Sequence, residues 1–117
     1  MIETVLDVPV PPSVNKTRRI NWAAMPELDA WKKHADGLLM SSGQFKNAHR
    51  FTGPFDLTIV LDEARCALDA DNPVKVAVDY LRRIELIQND DKRFMRSFTV
   101  RWGEAPEGCR LILREAA

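Results

Sequence analysis

The sequence contains no run of 18 or more apolar residues, so no segment of it reads as a membrane-spanning helix. Its first ten residues lack the basic stretch and apolar core of an export signal, and the expected location is cytoplasmic. Cysteine is scarce: Cys66 and Cys109 stand far apart, without a CxxC pair or a Cys/His cluster, which excludes a disulfide framework and a zinc site. They are expected as thiols in a reducing compartment. Neither sign of charge is in excess, with 17 basic and 17 acidic residues and a pI near 6.7, which argues against a uniformly basic wrapper of nucleic acid or an acidic tail. No internal repeat or low-complexity tract is present. What remains is 117 residues, 45% hydrophobic and 29% charged, a composition suited to a single domain spanning 1–117 with one core.

The neutral total hides an uneven distribution. Between residues 14 and 50 seven basic residues (Lys16, Arg18, Arg19, Lys32, Lys33, Lys46, Arg50) face three acidic ones (Glu27, Asp29, Asp36). The rest of the chain is acidic by the same margin, with two tight acidic pairs, Asp69 with Asp71 and Asp90 with Asp91. A polyanionic partner would therefore meet a local patch.

Residues 4–10 alternate apolar and polar before Pro11 and Pro12, which predicts a first strand leading into an extended loop. Pro26 suits a first helical turn, and Leu28, Trp31, Ala35, Leu38 and Leu39 recur at helical spacing until Ser41, Ser42 and Gly43. Residues 55–61 (FDLTIVL) follow Gly53-Pro54 and predict a buried, central strand. Asn72-Pro73 resembles an N-cap with proline at the next position, and Val74, Ala77, Val78, Leu81 and Ile84 or Glu85 trace the stripe of a second helix. After a polar turn at 88–91, Phe94, Phe98, Val100 and Trp102 share one face of a third strand, residues 103–108 are expected as a hairpin loop, and 110–114 as a closing strand. The order β-α-β-α-β-β favours an α+β fold, a single mixed sheet with two helices packed on one face.

The chemically informative stretch is 68–75, LDADNPVK. Asp69 and Asp71 lie two apart in chain expected to be extended, so their carboxylates point to one side. Lys75 follows in the first helical turn, and Asp90 and Asp91 come after the helix. Convergent carboxylates without His or Cys suit a hard divalent cation such as Mg²⁺ and argue against zinc, and like charges gathered together are costly unless a cation neutralises them. The plainer account is that Asp71 or Asn72 caps the helix and Asp69 is a solvated loop acid.

Three blocks together, Pro11-Pro12-Ser13-Val14-Asn15-Lys16 after the first strand, the DxDNxxK run at 69–75, and Asn89-Asp90-Asp91 after the second helix, resemble the RusA family of Holliday-junction resolvases in order and spacing. The resemblance implies a RusA-like domain: a small homodimeric endodeoxyribonuclease that depends on Mg²⁺, with Mn²⁺ as a substitute, and nicks a four-way junction symmetrically, in the cytoplasm at the nucleoid. It further implies that Asp69, Asp71 and Asp91 hold the metal and that Lys75 is the catalytic lysine, Asp90 being a neighbour of the ligands. The chain departs from the family pattern before the first of these acids, where several basic residues are usual and only Arg65 is present.

Asn15, Lys16, Arg18 and Arg19 after the first strand, and Lys46 and Arg50 after the first helix, are the candidate DNA contacts. Each could equally be solvated surface, and Asn15 could bond its own loop. Lys32 and Lys33 read as an exposed helix face, and His34 and His49 have no partner at ligand spacing. Trp22 suits a staple at the helix start or a base-stacking surface, and Trp31 and Trp102 read as core. The other function classes consistent with the residues are a catalytically idle DNA-binding relative and a plain α+β interaction domain.

Overall fold

The computed structural model describes residues 2–12, 25–66 and 74–116. Four strands and three helices follow one another as β1 (Glu3–Pro9), α1 (Met25–Ser41), α2 (Gln44–Asn47), β2 (Phe55–Leu61), α3 (Val74–Arg83), β3 (Met95–Trp102) and β4 (Gly108–Glu115). The expected β-α-β-α-β-β order is present with one addition. The α2 turn has only four residues, too few for any periodicity, and it begins after Gly43 in the left-handed region at φ 77°. Lys46 consequently lies on α2 and not in an open loop. The α1 helix stops where its serines compete for its carbonyls: Ser42 donates to Leu38 O through both its backbone N (3.1 Å) and its Oγ (2.7 Å).

The strands form one mixed sheet in the order β1-β4-β2-β3, with β2 parallel to β3 and antiparallel to β4, and β1 antiparallel to β4. This corrects the expected β3-β4 hairpin, because β4 inserts between β1 and β2. The physical reason lies in composition. An interior strand needs apolar residues, which β4 supplies in Cys109, Leu111, Ile112 and Leu113, whereas β3 carries Arg96 and Arg101 and goes to the edge. The connection at 103–107 crosses the end of β2: Gly103 N donates to Leu61 O at 3.0 Å and Asp62 N to Gly108 O at 3.0 Å. The crossing is tight, since a Cβ on Gly103 would approach Val60 Cγ1 to 2.9 Å.

One core lies between the sheet and the helices. It joins Leu6 and Val8 of β1, Leu57, Ile59 and Leu61 of β2, and Cys109, Leu111 and Leu113 of β4 to Trp31, Ala35 and Leu39 of α1 and to Val76, Ala77, Val78, Tyr80 and Leu81 of α3. The Trp31 and Tyr80 rings meet edge to face at 5.0 Å, which locks α1 to α3. Because the strand residues in this cluster all lie on one side of the sheet, α1 and α3 cover the same face, as expected for an α+β layer. The other face carries cross-strand ion pairs, Arg110 Nε with Asp7 at 2.8 Å and Arg114 with Glu3. Trp31 is core as expected, but Trp102 is not: it is 43% exposed, and Phe98 beside it is 55% exposed, because the helices do not reach over the outer edge of β3.

Candidate functional site

The α3 helix organises the part of the candidate site that the structure describes. Parallel pairing of β2 with β3 requires a crossover that returns the chain to the starting end of β2, and α3 is that crossover. Asp69 and Asp71, the Asn72-Pro73 cap and the basic loop with Asn15, Lys16, Arg18 and Arg19 lie outside the described residues, as does Trp22. Lys75 is described. It stands exposed in the first turn of α3, beside the buried Val76 and Ala77 that anchor the helix.

Asp90 and Asp91 follow the other end of the helix. Arg82, in the last turn, pairs with Asp90 at 3.7 Å, so the distance along the axis from Lys75 to the residue that holds Asp90 is about 10 Å. The structure therefore does not bring Lys75 and Asp91 together directly. Asp91 heads the turn into β3: its backbone carbonyl accepts from Phe94 N at 3.0 Å and Met95 N at 2.9 Å, while its carboxylate accepts from Arg93 N at 2.9 Å and Arg93 Nη2 at 2.8 Å. These Arg93 bonds hold the Asp91 carboxyl below the usual carboxylate range, so it is ionised wherever the protein is folded at ordinary pH. An ionised carboxylate is the correct form for a cation ligand, but its oxygens are already engaged, and a metal would have to displace Arg93. Among the described residues no three His, Cys, Asp or Glu side chains cluster closely enough to hold a metal ion.

The remaining basic candidate, Arg50, lines a cleft that the sequence did not suggest. Phe51 N donates to Leu86 O at 2.8 Å and Phe51 pairs in parallel with Ile87, which draws the lead-in to β2 against the exit from α3. An open cleft of about 700 Å³ results, and Arg50, Arg82 and Arg83 all line it. Each arginine already has an acidic partner: Glu85 at 3.4 Å for Arg50, Asp90 for Arg82, and Asp36 at 3.4 Å for Arg83. The cleft is consequently nearly balanced in charge, and a phosphate would have to exchange with those carboxylates. The sequence signal for it was the Arg82-Arg83 pair in the last helical turn, where cations also complement the helix dipole and so attract no notice.

No protein-family model matches the chain, and no curated protein matches it either. The case for a function thus stands on the residues themselves.

Proposed function

We propose that the chain is a Mg²⁺-dependent, structure-selective endodeoxyribonuclease that acts on branched DNA of the four-way-junction kind, working as a two-fold homodimer. The observation that carries the proposal is the DxDNxxK run at 69–75, which enters α3 so that Lys75 stands exposed on its first turn. Asp69, Asp71 and Asp91 would hold the cation, which when bound supplies charge neutralisation at the phosphate and a more acidic water. Lys75 would stabilise negative charge on the phosphate oxygens as it develops. Arg50, with Lys46 on α2 and Asn15, Lys16, Arg18 and Arg19, which follow β1 in sequence, would bind flanking phosphates without reading sequence. A two-fold dimer would match the symmetry of a junction cut on two strands.

A second reading, a DNA-binding relative that does not cut, draws support from Asp91, whose carboxylate is taken up by Arg93 at the far end of α3 from Lys75. Cleavage of an end-labelled four-way junction in Mg²⁺, Mn²⁺ or EDTA decides between them. Paired nicks in Mg²⁺ that vanish in EDTA support the nuclease. Retarded but uncut junction supports the idle relative, and a chain that neither binds nor cuts refutes both.

A further inference from the structure

The described residues include nine arginines, and seven of them pair with an acidic side chain of the same molecule. Among the described residues the two without such a pair, Arg96 and Arg101, both lie on β3. Arg96 sits at the bulge where Met95 faces Phe55 and Ser97 faces Asp56, and its Nη1 donates to the Lys92 carbonyl at 2.8 Å, a bond that leaves its charge uncompensated. Arg101 stands opposite Val60, on the sheet face away from the helices. The Asp56 carboxylate beside the bulge is engaged elsewhere, accepting from Ser97 Oγ at 2.7 Å. Beside these cations the strand exposes two aromatic rings, Phe98 and Trp102, on the helix side of the sheet at its outer edge, about 13 Å apart along the strand with the half-buried Val100 between them. Trp102 faces Leu61, the last residue of β2, so the row runs toward the end of the sheet from which the chain leaves for α3 and Lys75.

Charged residues on an edge strand discourage pairing with another sheet, but that role leaves the exposed rings without a reason. A peptide strand added to this edge would be held by backbone hydrogen bonds and would need neither guanidinium. A polyanion with flat apolar faces uses both the charges and the rings. We propose that β3 is a stacking row for unpaired bases of a DNA strand, Phe98 and Trp102 each receiving one base while Arg96 and Arg101 hold neighbouring phosphates. This goes beyond the phosphate contacts assigned above and rests on that reading only for the choice of DNA. Stacking is tolerant of base identity because every base has a π-face, so the row adds affinity for opened strands without adding a sequence preference.

Fluorescence anisotropy in EDTA tests it apart from any cleavage. The probes are a labelled oligothymidylate of about ten nucleotides and an abasic strand with the same number of phosphates, so that charge is matched and only the bases differ. The wild-type chain should bind the oligothymidylate about tenfold or more tightly than the abasic strand. Phe98→Ala and Trp102→Ala, both at exposed positions, should each lower affinity for the oligothymidylate by about fivefold or more, with the abasic strand nearly unaffected and the far-ultraviolet spectrum unchanged. Trp102→Phe, which keeps a ring, should retain most of what Trp102→Ala loses. Arg96→Ala and Arg101→Ala should weaken both probes alike and lower the salt slope by about 0.7 each. Equal affinity for the two probes overturns the proposal, as do aromatic variants that bind like wild type, and polyglutamate that competes as well as the oligothymidylate overturns it by showing a general polyanion surface. If these tests fail while a junction is still cut in Mg²⁺, the stacking row falls and the nuclease reading stands; a chain that binds no DNA removes both.

Discussion

The Tyr80 hydroxyl donates to Asp36 Oδ1 at 2.7 Å, tying α3 to α1 across 44 residues of sequence, while Arg83 reaches the other oxygen of the same carboxylate at 3.4 Å. Tyr80 is almost wholly buried while the Asp36 carboxylate is partly exposed, so the bond satisfies a buried hydroxyl at the margin of the core. Tyr80→Phe keeps the ring against Trp31 and removes only the bond, and it should lower stability by about 1 kcal/mol in a urea titration.

Burial and the Asp36 carboxylate both raise the Tyr80 phenol above its ordinary 10.0, and burial, followed by Cys66 and Asp7, pushes the Cys109 thiol from 9.0 up to about 12. Both groups are neutral in the folded chain and ionise sooner when it unfolds. Their contribution is therefore complete below about pH 9 and is lost as pH rises through 9 to 12 and beyond. The melting temperature should hold level up to pH 9 and fall above it, with a shallower fall in Tyr80→Phe. Cys109 should resist Ellman's reagent until denaturant is added.

Two backbone positions make opposite predictions. Gly108 has φ 109°, and a Cβ there would come within 2.7 Å of Val10 Cγ2, so Gly108→Ala should cost about 1–3 kcal/mol. Glu85 has φ 60° at the end of α3, a left-handed position that glycine fills without strain, and its carboxylate pairs with the exposed Arg50 at the surface. Glu85→Gly should leave stability unchanged or raise it by up to about 1 kcal/mol. Thermal melts of the two variants, compared with wild type, check the pair.

Much of this framework was legible beforehand, and the failures share a cause. Residues 55–61 announced β2 with the bounds the structure shows, because seven β-forming residues after Gly53-Pro54 leave no competing period. Ala77, Val78 and Leu81 were read correctly as a buried stripe for the same kind of reason. Trp102 was misread as core and β3 as the hairpin partner of β4, since strand neighbours and edge positions depend on residues distant in sequence, which a local pattern does not encode. Of the candidate site, the place of Lys75 in the first turn of α3 followed from the helix start expected at Asn72-Pro73, but the Arg93 grip on Asp91 and the arginine cleft arise from turns and crossovers with no periodic signature.

Lys75 and Arg50 should separate chemistry from binding. Lys75→Ala should slow single-turnover junction cleavage by orders of magnitude with junction affinity nearly intact, because the charge it stabilises is fully developed only in the transition state. Asp71→Asn should abolish Mg²⁺-dependent cleavage with the fold preserved. Arg50→Ala should instead weaken binding about equally across DNA sequences and reduce the salt slope by about one contact. Gel-shift titrations over a salt series, run beside cleavage, measure both; equal losses of binding and cutting in Lys75→Ala would make it a phosphate anchor.

Removal of Arg93 tests Asp91, the third proposed ligand, directly. With Arg93→Ala the Asp91 carboxylate loses its side-chain hydrogen bonds, and its ionisation should move back toward the ordinary carboxylate range, visible by NMR titration of the carboxyl carbon. If Asp91 takes part in cation binding, the variant should also bind Mn²⁺ more tightly than wild type, read by paramagnetic line broadening. Unchanged Mn²⁺ affinity alongside the restored ionisation would assign Asp91 to the turn into β3 alone.

The position of β4 has a consequence for the order in which this chain can acquire its structure. During synthesis β1, β2 and β3 all leave the ribosome before the strand that must sit between the first two. The parallel β2–β3 pair can form early, but β1 then has no neighbour, and the apolar flanks of Leu6, Val8, Leu57 and Ile59 wait uncovered until Leu111 and Leu113 emerge. Closure of the sheet thus waits for the last of its four described strands, and a nascent chain halted before β4 would present to chaperones the surfaces that the finished protein hides.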